Sequence, residues 1–169
     1  MQKPFDIFTE WLVVQNVDEI VNFATDQDGN SHMIVASPSA ANDVLGSGYD
    51  STQQTVQGYI DDLVATAKTG LGITDADILP LPRYFDGSGM DLSARWSDPV
   101  NSIFVNGTFI IGDTDTPEAI KTDIESRFSA LGVDVAWAND ANYHMGGGTV
   151  HCGTNAAKTP VCANFAQCL

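Results

Sequence analysis

Val100-Asn-Ser-Ile-Phe-Val-Asn-Gly-Thr-Phe-Ile-Ile111 holds two short apolar runs joined by Asn106-Gly107. Asn-Gly accepts the positive φ angles of a two-residue turn, so between apolar runs it predicts a tight β-hairpin. Asn106-Gly107-Thr108 also fits a glycosylation sequon, but the tight turn is the preferred reading. A helix is expected over residues 117–131, with Pro117 in its first turn and Gly132 ending it. Val133-Asp-Val-Ala-Trp137 is the next strand. The order strand, strand, helix, strand points to an α/β fold.

The same order recurs upstream. Trp11-Leu-Val-Val-Gln15 is expected as a buried strand, Asp26-Gln-Asp-Gly-Asn30 as a polar turn, and His32-Met-Ile-Val-Ala-Ser37 as a second strand. Pro38 stops that strand and Ser39 is placed to begin a helix. A longer helix is expected from Ser51 through Lys68, with Val56, Tyr59, Ile60, Leu63, Val64 and Ala67 on one face and Gly70 and Gly72 ending it. Ile78-Leu-Pro-Leu81 reads as another buried segment and Asp86-Gly-Ser-Gly-Met90 as a loop. The two modules, about 10–82 and 99–160, repeat in pattern and not in residue identity.

A chain of 169 residues, 43% hydrophobic and 17% charged, suits one folded domain, 1–169, with its own core. Asp and Glu number 22 against 7 Lys and Arg, a net charge of −15. A nucleic-acid binder needs a basic stripe to displace counterions, and this sequence has none. Anionic membrane surfaces are disfavoured for the same reason. Cationic partners such as arginine-rich segments are attracted, and the charge also serves solubility in a secreted or crowded setting. No apolar run approaches the roughly 20 residues of a membrane span. Met1 to Glu10 carries Lys3 but no apolar core or small-residue cleavage site, so it does not read as a signal peptide.

The three cysteines are Cys152, Cys162 and Cys168. Cys162 and Cys168 could close a short loop, which leaves Cys152 as the odd one. Such a bond would contribute on the order of 2 kcal/mol and would imply an oxidising, extracellular compartment.

Gly146-Gly-Gly-Thr-Val-His-Cys-Gly-Thr-Asn155 is the densest unusual stretch. Glycines permit close approach of a ligand or of another backbone. Thr149 to Cys152 is expected as a short strand ended by Gly153, presenting the sulfur at a cleft edge as a nucleophile. Standing alone, such a cysteine also reads as a buried small hydrophobe or half of a disulfide. On a strand His151 would point to the opposite face from the sulfur, which argues against a dyad of these neighbours. No Cys or His stands at metal-ligand spacing from Cys152.

Val150-His-Cys-Gly-Thr-Asn155 resembles the nucleophile motif of the protein-arginine deiminases, and Asn139-Asp-Ala-Asn-Tyr-His144 matches in order and distance. Val105-Asn-Gly107, Ile60-Asp61, Asp77-Ile-Leu-Pro80 and Ala36-Ser-Pro38 are also similar. Val17-Asp-Glu19 resembles the segment that holds the family's catalytic His and one substrate-binding Asp. The likeness runs in register from about Trp11 to Pro160. It implies a propeller of ββαβ modules, pentein-like, of which this chain holds about two, the C-terminal half of the catalytic domain. It further implies hydrolysis of protein arginine to citrulline and ammonia through a Cys thiouronium intermediate, with calcium ordering the site.

By that resemblance Cys152 matches the nucleophile and Asp18 one of two carboxylates that hold the guanidinium. Asn16 stands where the family has its catalytic His. An amide cannot shuttle protons near neutrality, a service that typically contributes ~10²–10⁴ in rate. The family's other substrate carboxylate and most of its calcium ligands come from sequence upstream of Met1. Gly146 and Gly147 stand where larger polar residues can meet substrate.

Two functional readings follow: a deiminase chain acting on arginine-containing protein or peptide, and a catalytically inactive module that binds arginine-rich partners or assembles. Cys152 and Asp18 favour the first and Asn16 the second. A small secreted disulfide-stabilised domain would account for Cys162 and Cys168 but not for the long likeness. Residues 16 and 18, read as one strand, are expected to face Cys152 together. Two modules of a closed propeller would leave apolar faces and sheet edges bare, so a second polypeptide, a copy or the upstream half, is expected to cover them.

Overall fold

In the computed structural model, which describes residues 5–154, β1 (Val21–Thr25) and β2 (Ser31–Ser37) run antiparallel, Val21 opposite Val35 and Thr25 opposite Ser31. Asp26 shapes the turn between them: its Oδ1 accepts from Asp28 N at 2.9 Å and from Asn30 N at 2.8 Å. β2 is buried along nearly its whole length because β3 (Ile78–Pro82) pairs in parallel with its other edge, Met33 opposite Ile78. β3 carries Pro80 and Pro82, which an edge strand tolerates.

A parallel partner needs a long crossover. Here α1 (Pro38–Leu45) and α2 (Ser51–Leu71) supply it. Ser37 Oγ accepts from Ala40 N at 3.1 Å, and Asp50 Oδ1 accepts from Thr52 N and Gln53 N, so both helices start on side-chain caps. α2 buries Val56, Ile60, Leu63 and Ala67, the apolar face read from its spacing.

Trp11–Gln15 does not form the expected strand. Leu12 makes a single bridge to Leu92, and the chain turns away at Gln15, where φ is 56°. Trp11 and Leu12 are apolar because they are buried as a plug, with the Trp11 ring 5.6 Å from Tyr59 and 5.3 Å from Phe85. The expected loop at Asp86–Met90 is also different: β4 (Phe85–Ser88) and β5 (Asp91–Ala94) form an antiparallel hairpin across it.

In the second module the hairpin, the helix and the strand after it form, though the first strand begins at Ile103 and not at Val100. β6 (Ile103–Val105) and β7 (Thr108–Gly112) are antiparallel, and the Asn106-Gly107 turn between them has φ of 50° and 81°. α3 (Glu118–Ser129) then leads to β8 (Asp134–Ala138), parallel to β7. Phe128 of α3 stacks on Phe109 of β7 at 4.6 Å, both fully buried. Truncation of such an aromatic typically costs about 3–5 kcal/mol. α4 (Ala141–His144) follows.

One hydrophobic core runs through both modules, from Trp11 to Val133. Asn22 pins their seam, its Nδ2 donating to Val100 O at 2.8 Å and to Ser102 O at 2.7 Å. The segments that enter each module's first strand, residues 16–20 and 98–102, therefore meet. No helix among the described residues is long and apolar enough to cross a membrane. Cys162 and Cys168, with the end of the second module, lie outside the described residues.

Candidate active site

The floor of the seam is a buried charge cluster. Arg83, just past β3, is fully buried; its Nη1 donates to the Glu19 carbonyl and lies 2.7 Å from Asp98 Oδ2. Its Nη2 lies 3.9 Å from Glu19 Oε2, and the guanidinium sits 4.2 Å over the Phe85 ring. Two buried carboxylates share one cation, so the site favours holding a proton. Burial outweighs the attraction of Arg83 and pushes the Glu19 carboxyl up to about 7. Burial likewise raises Asp98 above the usual carboxylate range and lowers Arg83. This cluster fixes Glu19, the neighbour of Asp18, and Asp98, three residues before Asn101.

Asn101 is the hub above it. This fully buried amide donates from Nδ2 to Asp18 Oδ2 at 2.8 Å, and its Oδ1 accepts from Thr149 N and Cys152 N, both at 3.2 Å. Its backbone carbonyl accepts from His151 N at 3.1 Å and from Thr149 Oγ1 at 2.6 Å. The loop after α4 is thereby wound against residues 98–101. It forms a turn, with Gly153 N donating to Thr149 O and Thr154 N to His151 O, and not the short strand expected for Thr149–Cys152.

The winding changes where the side chains go. His151 and Cys152 do not point to opposite faces: Asp18 Oδ2 lies 2.7 Å from His151 Nδ1 and 3.9 Å from Cys152 Sγ. Cys152 carries a free, exposed thiol. Asp18 Oδ1 makes no hydrogen bond among the described residues.

Residues 16–18 are not a strand either. Val17–Glu19 is a turn of 3₁₀-helix, with the Asn16 carbonyl accepting from Glu19 N at 3.3 Å. The Asn16 side chain is exposed and forms no hydrogen bond among the described residues. The structure thus joins Asp18 to Cys152 and leaves Asn16 outside their network.

Glycine has a steric task next to Cys152. A Cβ on Gly148 would stand 2.8 Å from Cys152 Cβ and 3.2 Å from its Sγ. Gly146, Gly147 and Gly148 also border an open cleft of about 390 Å³, whose polar lining includes Glu19, Arg83, Asp98 and Asn101. Sequence reasoning missed these four. Arg83 left a signal, a lone cation in the apolar run Leu81-Pro-Arg-Tyr-Phe85, which predicts a buried partner. Asn101 left none, since the bonds of its side chain are all long-range.

The resemblance implies a calcium site. Among the described residues no three His, Cys, Asp or Glu are arranged to hold a metal ion, so they do not fit it.

Comparison with known proteins gives a family and a fold. A family profile described as protein-arginine deiminase (PAD) matches residues 46–165. Homo sapiens protein-arginine deiminase type-3 is 26% identical over 200 residues, covering 95% of this chain and 30% of the relative. Mus musculus protein-arginine deiminase type-4 is 24% identical over 204 residues, with the same coverage of 95% and 30%. The chain therefore spans about 30% of the length of these relatives. Among solved structures, C. Jejuni agmatine deiminase with substrate bound superposes with a TM-score of 0.52 at 15% identity, over 85% of this chain and 38% of that one. A second C. Jejuni agmatine deiminase structure gives 0.50 at 17% identity, over 83% and 38%. At such identities the likeness shows the shared pentein-like α/β fold alone.

Proposed function

The chain belongs to the protein-arginine deiminase family, and from that premise we propose that it takes part in hydrolysing arginine side chains of proteins or peptides to citrulline and ammonia. The observation that carries this reading is the exposed Cys152 thiol 3.9 Å from Asp18 Oδ2. A guanidinium is planar and cationic, and a carboxylate holds it by charge-assisted hydrogen bonds. Asp18 Oδ1 is the oxygen available for that. Cys152 Sγ then attacks the guanidinium carbon. An S–C bond forms as the thiol loses its proton. A C–N bond breaks as one terminal nitrogen gains a proton and leaves as ammonia. The resulting thiouronium on Cys152 is opened by water, which restores the thiol and releases citrulline. The net charge of −15 draws cationic substrates toward the site.

The test is acid quenching during reaction with an arginine peptide. The proteolytic fragment containing Cys152 should carry the peptide minus ammonia, and Asp18→Asn should abolish that adduct. Citrulline formed with no adduct at Cys152 would overturn the assignment.

One observation favours a second reading, an inactive deiminase-like module that binds arginine-rich partners: the position of the family's proton-carrying His is the unengaged Asn16. Under either reading we place the protein outside the cell, with Cys162 and Cys168 paired and a second polypeptide completing the propeller. Peptide mapping under non-reducing conditions tests the pairing, and a linkage between Cys152 and Cys162 would refute it.

A further inference from the structure

The proposed reaction needs four proton transfers: off the thiol, onto the departing nitrogen, off water, and back onto the sulfur. Asn16 cannot make them, because an amide does not titrate near neutrality. We propose that His151 is the proton carrier of this site, an inference that rests on Cys152 being its nucleophile.

The geometry argues for it in three steps. First, the turn at 149–154 brings successive side chains to one side: Gly153 N donates to Val150 O at 3.2 Å and Thr154 N to His151 O at 3.1 Å. Second, both side chains converge on a single oxygen, since Asp18 Oδ2 lies 2.7 Å from His151 Nδ1 and 3.9 Å from Cys152 Sγ. Third, the backbone beneath them is held by one residue, with His151 N on the Asn101 carbonyl at 3.1 Å and Cys152 N on its Oδ1 at 3.2 Å.

A carboxylate that orients an imidazole beside a nucleophile is the general arrangement for activating that nucleophile. With Nδ1 committed to Asp18, Nε2 is the nitrogen that exchanges protons. His151 takes the Cys152 proton as the S–C bond forms and returns it to the nitrogen that leaves as ammonia. It then takes a proton from the attacking water and passes it to the sulfur as the C–S bond breaks. Neither of the other two histidines is bonded to Asp18 or Cys152 among the described residues, although His144 lines the cleft. His32 is held by Asp26 at 3.0 Å, and His144 of α4 forms no side-chain hydrogen bond among the described residues.

The test needs no turnover. Alkylation of Cys152 by iodoacetamide, followed by intact mass against pH, compares the wild-type chain with His151→Gln and His151→Lys. Lysine keeps a charge but not an acid–base group that titrates near neutrality. Both variants should alkylate at least about tenfold more slowly near neutral pH and converge with the wild type at alkaline pH, where the thiol ionises unaided. Coincident profiles for all three, or recovery in His151→Lys, would overturn the proposal. If citrulline formation is measurable, both variants should lose it while retaining Cys152. A chain that turns over no arginine but shows the His151-dependent profile would refute the deiminase reading and leave the proton carrier standing.

Discussion

Asn101 and Asp18 are joined by a hydrogen bond of 2.8 Å from Nδ2 to Oδ2. The same buried amide holds the Cys152 backbone through Oδ1, so it sets the Asp18 carboxylate and the Cys152 thiol relative to each other.

Asn101→Leu should therefore lose both stability and site order. It removes partners from Thr149 N and Cys152 N, and an orphaned buried donor costs about 1–3 kcal/mol. Urea unfolding should show a lowered midpoint, and Cys152 alkylation should lose its dependence on His151. A variant with wild-type midpoint and reactivity would show that Asn101 only fills space.

Gly148→Ala should silence Cys152 without unfolding the chain. The added Cβ would lie 2.8 Å from Cys152 Cβ, tighter than real contacts allow, and Cys152 is exposed enough to move aside. Circular dichroism should be unchanged while adduct formation with an arginine peptide is lost. Unaltered adduct formation would mean that the loop adjusts freely.

The buried carboxylate of Glu19 gives a pH signature. Its folded-state value, about 7, exceeds the ordinary 4.5, so between them the folded chain keeps a proton that the unfolded chain releases. This contribution is full below the ordinary value and is lost as pH rises through 7. Glu19→Gln should thus raise Tm relative to wild type near neutrality and by less at acid pH. Asp26 works the other way: its bonds to His32 and Asn30 hold it well below the usual range, and its contribution is lost only in strong acid. A Tm difference between Glu19→Gln and wild type that is flat with pH would contradict the assignment.

Much of the fold was legible because local chemistry dictated it. Asn106-Gly107 demanded a hairpin, and the spacing from Val56 to Ala67 demanded a helix. Trp11-Leu12 misled because a buried plug and a buried strand share the same apolar residues. β1 went unread because Asn22 is polar and Phe23 exposed, which hides the alternation. At the site, Cys152 and Asp18 were singled out through resemblance to a family, and the structure places them 3.9 Å apart. His151 was misplaced because β-branched Thr149 and Val150 suggested a strand, whereas Asn101, 48 residues before Thr149, pulls that segment into a turn.

The cleft predicts a partner. Val13 and Met145, 55% and 80% exposed, stand bare on its lining, and Tyr143 beside them is 53% exposed. Light scattering after size exclusion should find more than one chain per particle, or tight association with an added upstream half. A stable monomer that binds neither would show that this surface needs no cover.

We propose that Cys152 carries the arginine-hydrolysing chemistry. Citrulline formation on arginine peptides decides it, measured for the wild-type chain with an added upstream half and for Cys152→Ala in the same mixture. Citrulline is expected from the first and none above background from the second. Equal citrulline from both, or none from either, would contradict it.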